Sequence, residues 1–154
     1  MRAPRRSTGS RLNRFVGLPT GLTAETALAR ADQNLEAHHT TALAQIDATI
    51  TAMSEVLAQP HDDVRAAQDR LYTKAYEIAG MAALFNLTAL GLAAQSLCEL
   101  IDNSRPRQVW DEAGFAIHFG AIRLLRRPEH AVGSAEAEIL RGLARIVKRE
   151  DRPV

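Results

Sequence analysis

From Ala24 to Ala58 the chain runs without one glycine or proline, the residues that most often interrupt a helix. The second half of this stretch carries the period of a helix: Leu43, Ile46, Ile50, Met53 and Leu57 recur three and four positions apart and so share one side. Leu28 and Leu35 extend a similar face upstream. The segment reads either as one long helix or as two that break near His38 and His39. Alternating Val/Ile/Thr/Tyr runs are scarce, and aromatic residues make up only 5% of a chain that is 46% apolar and rich in Ala and Leu. A sandwich or barrel needs the opposite balance, so the expected class is all-α.

The remaining punctuation divides the chain into further helices. Gln59-Pro60 stops the first segment, and Asp62 and Asp63 bring negative charge to the start of the next, where a helix dipole favours it. Val64, Ala67, Leu71, Ala75, Ile78, Ala82 and Phe85 form its apolar stripe. Asn86 suits a left-handed cap, Thr88 can open a third helix, and Leu87, Leu90, Ala94, Leu97 and Ile101 give that helix the cleanest stripe in the chain. Asn103-Ser104-Arg105-Pro106 is a turn with proline placed to open a fourth helix, expected from about Arg107 to Arg126. Two stripes mark that helix, Val109/Ala113/Ile117/Leu124 and Phe115/Phe119/Ile122, which predicts cover on two sides. Pro128 ends it. A last helix from Ser134 places Ile139, Leu140, Leu143, Ile146 and Val147 inward, with Lys148 and Arg149 at its C-terminal end. Short links favour antiparallel neighbours, so the expected architecture is an up-down bundle of four core helices with an additional N-terminal or C-terminal helix.

Residues 1–20 hold Pro4, Gly9, Gly17, Pro19 and several hydroxyl residues without apolar periodicity, and read as a disordered basic tail before a single helical domain over 21–150. Arg2, Arg5, Arg6, Arg11 and Arg14 all lie in this tail with no acid among them. The rest of the chain therefore has fewer basic than acidic residues, although the whole is +1. A mildly acidic body lacks the clustered cations that displace counterions from phosphates, so no specific nucleic-acid partner is expected. With a single cysteine, Cys98, no internal disulfide forms, and no apolar leader follows Met1. A cytoplasmic location is the expectation.

Ile78 to Cys98 is free of charge and long enough to cross a bilayer on paper. Asn86, Thr88, Gln95, Ser96, Gly80 and Gly91 make its transfer poor, and the stripes on either side of Asn86 explain the run as two buried faces meeting at a turn. No membrane span is expected.

Chemistry is sparse. There is no glycine-rich phosphate loop, no Cys/His spacing for zinc and no nucleophile elbow, so no cofactor or metal is called for. His38 and His39 are adjacent and point about 100° apart on a helix, which suits a surface better than a metal. His118 sits among apolar residues, where a histidine usually bonds a backbone carbonyl at the core's edge. Cys98 beside Leu97 reads as a small buried hydrophobe.

The most informative stretch is Ala75-Tyr76-Glu77-Ile78-Ala79-Gly80-Met81-Ala82-Ala83-Leu84-Phe85-Asn86-Leu87, continued by Ala93-Ala94-Gln95-Ser96-Leu97-Cys98-Glu99-Leu100-Ile101. From Leu71 to Asp102 the chain resembles the histidine phosphotransfer (HPt) domains of bacterial phosphorelays. The segments starting at His118 and Glu138 are similar to the later helices of such domains. The family's His-x-x-Lys-Gly motif lies on the second helix of a four-helix bundle. Matched to it, this chain has Tyr76 at the phosphoacceptor position, Ala79 at the charge-offsetting lysine and Gly80 retained; Phe85 is kept, while Ala83 and Asn86 replace glycines. A phenol of pKa about 10 is a poor nucleophile at neutral pH and its ester does not readily pass phosphate on. The resemblance therefore implies a degenerate member that lacks phosphotransfer activity.

From the helical repeat alone, Tyr76 lies about 200° from core Ile78 and faces away from the core stripe. Tyr72, Tyr76, Ala79 and Ala83 then make a second stripe, two tyrosines above small residues, of the kind that anchors protein interfaces. Its bland alternative is cover by another helix of the same chain. The expected role is a non-catalytic binding module in two-component signalling, with a receiver domain, a histidine kinase or a second copy as partner. The alternatives are an active phosphotransfer protein that uses another histidine and a general helical interaction or membrane-associated protein.

Overall fold

The structure, a computed structural model, describes residues 23–127 and 133–150, which are helical with no strand among them. The basic stretch 1–20 and the expected stop at Pro128 lie outside the described residues. Five α-helices follow one another: α1 (Ala24–Ala58), α2 (Val64–Leu84), α3 (Thr88–Ser104), α4 (Glu112–Leu125) and α5 (Gly133–Glu150), with a short 3-10 turn at Arg105–Arg107. None of the described helices is long and apolar enough to cross a membrane. Two units divide the chain, with the boundary between His38 and His39.

In the first unit the described part is the opening of α1. The Thr23 hydroxyl accepts from the Thr26 N–H at 3.2 Å and so caps the helix. Of the two alternatives for 24–58, one continuous helix is formed. Leu28 and Leu35, expected to extend the apolar face, are instead 67% and 65% exposed.

In the second unit α1 supplies Ile46, Thr49 and Met53 to the core, and the Thr49 hydroxyl is satisfied by the Gln45 carbonyl at 2.9 Å. Asp63 caps α2 by accepting from the Ala66 N–H at 2.9 Å. Asn86 takes the left-handed conformation expected of it, φ 57°, and lets the chain reverse into α3. α2 and α3 run antiparallel: Gln68 meets Ser104, Tyr72 meets Cys98, and Ala82 lies against Gly91. α3 and α4 are likewise antiparallel, with Leu100 against Gly114 and Ser96 against His118.

α3 is the most enclosed element. Besides Leu90, Ala94, Leu97 and Ile101 of the expected stripe, it buries Gly91, Ala93, Cys98, Leu100 and Ser104. The wider burial follows from its contacts with α2, α4 and α5 together. Leu143 of α5 is buried, and Ile139, Leu140, Ile146 and Val147 pack against the core as their spacing predicted.

The fourth helix departs from expectation at its start and on one face. Pro106 opens only the 3-10 turn, Gln108 then takes φ 51°, and α4 begins at Glu112, capped by the Asp111 carboxylate on the Gly114 N–H at 2.9 Å. The buried Gln68 amide helps hold this break by donating to the Val109 carbonyl at 2.9 Å, a bond that a helix through residue 109 would contest. α4 is buried along Gly114, Phe115, His118, Ala121 and Ile122. The other stripe is not covered: Val109, Ala113, Ile117 and Leu124 are exposed. Ile117 and Leu124 border a shallow groove with Gly120, Gly142 and Ile139 of α5, whose two glycines supply no side chain to cover them.

Candidate functional site

The α2/α3 hairpin turns Asp69, Tyr76, Gly80 and Ala83 of α2 and Gln95, Glu99 and Asp102 of α3 toward solvent. Tyr76 is 66% exposed, as the helical repeat predicted for it. Tyr72, one turn earlier, is half-buried, and its ring lies parallel to that of Tyr76, 7° between planes and 6.4 Å between centroids. Ala79 is not part of the exposed stripe that spacing suggested. It is 8% exposed because α3 crosses α2 closely at Gly91, where the Ala79 carbonyl borders the space that a side chain would fill. The exposed line is therefore Tyr76, Gly80 and Ala83, with Tyr72 at its edge.

Arg105 covers the inner of the two rings. Its guanidinium lies over the Tyr72 ring at 4.4 Å from the centroid, and donates to Asp69 at 2.8 Å and to Asp102 at 2.6 Å. A planar fork that stacks on an aromatic face while bonding two carboxylates uses both properties that distinguish arginine from lysine. The Asp102 carboxylate is the main cause, with Cys98 next, of a Tyr72 phenol held above its ordinary value of 10.0, which Arg105 only partly offsets. The local field is negative. Lys74 and Glu77, on the adjoining side of α2, satisfy each other at 3.0 Å.

Spacing gave no sign of Arg105 in this role, since it follows α3 in the turn and reaches back 36 positions to Asp69. Gln68 was also missed, a fully buried amide that donates to Ser104 at 3.0 Å as well as to Val109. Its place beside Ala67 and one turn before Leu71 and Tyr72 marks a polar residue on an apolar face, which was the available signal.

The histidines are placed as follows. His118 is fully buried. Its Nδ1–H donates to the Gly114 carbonyl at 2.8 Å, which leaves Nε2 to accept from the Ser96 hydroxyl at 3.1 Å. Burial lowers its pKa below 6.5 against the opposing pull of the Gly114 carbonyl, Asp111 and Glu99. His39 lies against Phe85 at 5.6 Å, His61 against Trp110 at 3.6 Å, and His38 is exposed. Among the described residues no group of three His, Cys, Asp or Glu side chains is arranged to hold a metal.

Two chemical consequences can be measured. The unfolded chain protonates His118 near pH 6.5 whereas the folded chain does so only at lower pH, so stability is full above about 6.5 and falls as pH drops below it. Urea unfolding at about pH 7.5 and about pH 5.5 should show that loss, and His118→Gln should shrink the difference between the two. Burial first, then Asp102, pushes the Cys98 thiol up to about 11, so it stays protonated at neutral pH. A disulfide reagent should label it far more slowly in the folded chain than in urea; equal rates would place it at the surface.

No protein-family model matches this chain, and no curated protein or solved structure matches it either.

Proposed function

We propose that this chain is a degenerate histidine phosphotransfer-type protein that binds a protein partner through the α2/α3 face and does not relay phosphate. In this reading α1 from His39 onward and α2 are the first two helices of the bundle, and α3 is the element on which α2, α4 and α5 pack. The observation that carries the reading is the exposure of Tyr76 on the second of these helices, at the position where the sequence resemblance puts the phosphoacceptor. Its ring lies parallel to that of Tyr72, and a tyrosine offers a large contact area on only two side-chain torsions, which is what an interface anchor needs.

The chemistry of relay favours a binding role over an active one at the Tyr76 position and at His118. A phosphoacceptor needs an exposed, unengaged imidazole nitrogen, and His118 has both nitrogens bonded inside the core. The position of the charge-offsetting lysine is Ala79, beneath α3, where an ammonium group would have to be desolvated or thread its stem outward. The partner in this reading is a receiver domain or a histidine kinase, with a second copy of the chain as the other candidate.

Phosphorylated receiver domains mixed with the chain should leave no acid-labile phosphate on it. Tyr76→Ala should weaken binding to such a domain, or self-association, by more than about 1 kcal/mol while leaving the melting temperature nearly unchanged. Label on a histidine would overturn the non-relay reading, and a lowered melting temperature without loss of binding would make Tyr76 a structural residue.

A further inference from the structure

Resting on the reading of the α2/α3 face as an interface, we propose that what docks on Tyr76 is an arginine-bearing, cationic segment of the partner, one guanidinium of which lies on the open face of the Tyr76 ring. The fold already contains one copy of this contact. Arg105 covers Tyr72 at 4.4 Å and Tyr72 is parallel to Tyr76, so guanidinium, ring and ring form an ordered series whose last member is two-thirds exposed. One turn beyond Tyr76 stands Gly80, where a Cβ would meet nothing within 4 Å. No side chain therefore stands on the helix surface one turn beyond the ring.

Charge on this face points to the same occupant. Asp69, Glu99 and Asp102 are all at the surface, and the single guanidinium of Arg105 is shared between two of them. Glu99 has no cation bonded to it among the described residues, and Lys74 is taken up by Glu77. Arg65 lies on the same line of α2, but two turns from Tyr72, at the other end of the helix. An incoming arginine would stack on Tyr76 and bring its charge toward these carboxylates; a lysine would gain only the second effect. An anionic or purely apolar segment would meet unfavourable charge or leave Glu99 unpaired.

Fluorescently labelled hexa-arginine and hexa-lysine peptides titrated into the full chain at low and at physiological salt test this. Hexa-arginine is expected to bind about 5-fold or more tightly than hexa-lysine. Tyr76→Ala should abolish that preference, Tyr76→Phe should keep most of it, and Glu99→Gln should weaken both peptides. Glu138→Gln, on the exposed side of α5, serves as the control for general charge and should change neither. Equal affinity for the two peptides, indifference to Tyr76→Ala, or no binding to either overturns the proposal. If a receiver domain or kinase still depends on Tyr76 while the arginine preference is absent, this inference falls and the interface stands. If the preference is present and Tyr76-dependent but no signalling domain binds, the phosphorelay assignment falls and the arginine site stands.

Discussion

Leu97→Ala is expected to destabilise the folded chain by about 2–5 kcal/mol. Leu97 is fully buried at the middle of α3, the helix that packs against α2, α4 and α5 at once. Truncation there removes buried methyl groups and leaves a cavity. Its immediate neighbours along the helix, Ala93 and Ala94, are too small to refill the space, and Leu100 and Ile101 are themselves fully buried. Collapse around the site is thus limited, which puts the cost well inside the range for core leucines. Leu84→Ala provides the contrast, because Leu84 is 78% exposed at the end of α2 and its loss should stay within about 0.5 kcal/mol. Urea unfolding of the two variants checks both values, and a near-neutral Leu97→Ala would mean that α3 is not the centre of the core.

The placement of Leu97 was legible because one-sided packing writes a period of three and four into a sequence. The same logic gave the inner face of α5, and turn chemistry gave the left-handed Asn86. It failed where two patterns competed. In α4 both apolar stripes looked equally fit for burial, and only the packing of α3 and α5 decides that Phe115 and Ile122 go inside while Ile117 and Leu124 border an open groove. The start of α4 was misread because Pro106 is compatible with either an α-helix or a single 3-10 turn. The deciding bonds come from Gln68, some 40 positions away, and from Asp111, and a local pattern contains only the second of these. Leu28 and Leu35 show the converse: helical spacing places residues on a side and says nothing of whether another element covers it.

The candidate site divides along the same line. The outward direction of Tyr76 follows from its angle to Ile78, and is a property of one helix. Ala79 failed because the close approach of α3 at Gly91 covers a residue that a single-helix wheel assigns to the edge of the exposed face. Arg105 could not be found from periodicity at all, since its partners Asp69, Tyr72 and Asp102 are assembled by the hairpin and not by a repeat. The residues that give the face its negative field and its stacked rings are therefore a tertiary product, even though its anchor is local.

Gly114→Ala should cost about 2–4 kcal/mol, the sum of a lost cap and an overpacked contact. In most helix positions the same exchange is stabilising, by about 0.5–1 kcal/mol, because alanine restricts the unfolded chain. Here the sign reverses for a geometric reason. A methyl group at Gly114 would collide with the Asp111 carboxylate and lie 2.9 Å from a Leu100 methyl. Asp111 could turn away only by abandoning the Gly114 N–H that it caps. Leu100 is fully buried on α3, so relief on that side requires the two helices to separate where the Gly114 carbonyl also holds His118. Gly120→Ala and Gly142→Ala are the internal controls, since a Cβ at either meets nothing within 4 Å, and each should raise stability slightly. Combining Gly114→Ala with Asp111→Ala separates the two causes: Asp111→Ala alone loses the cap, and the double variant should be less stable than that single variant only by the part due to Leu100. If Gly114→Ala instead stabilises the chain as the two controls do, α3 and α4 do not cross closely at this point, and the enclosure assigned to His118 loses its basis.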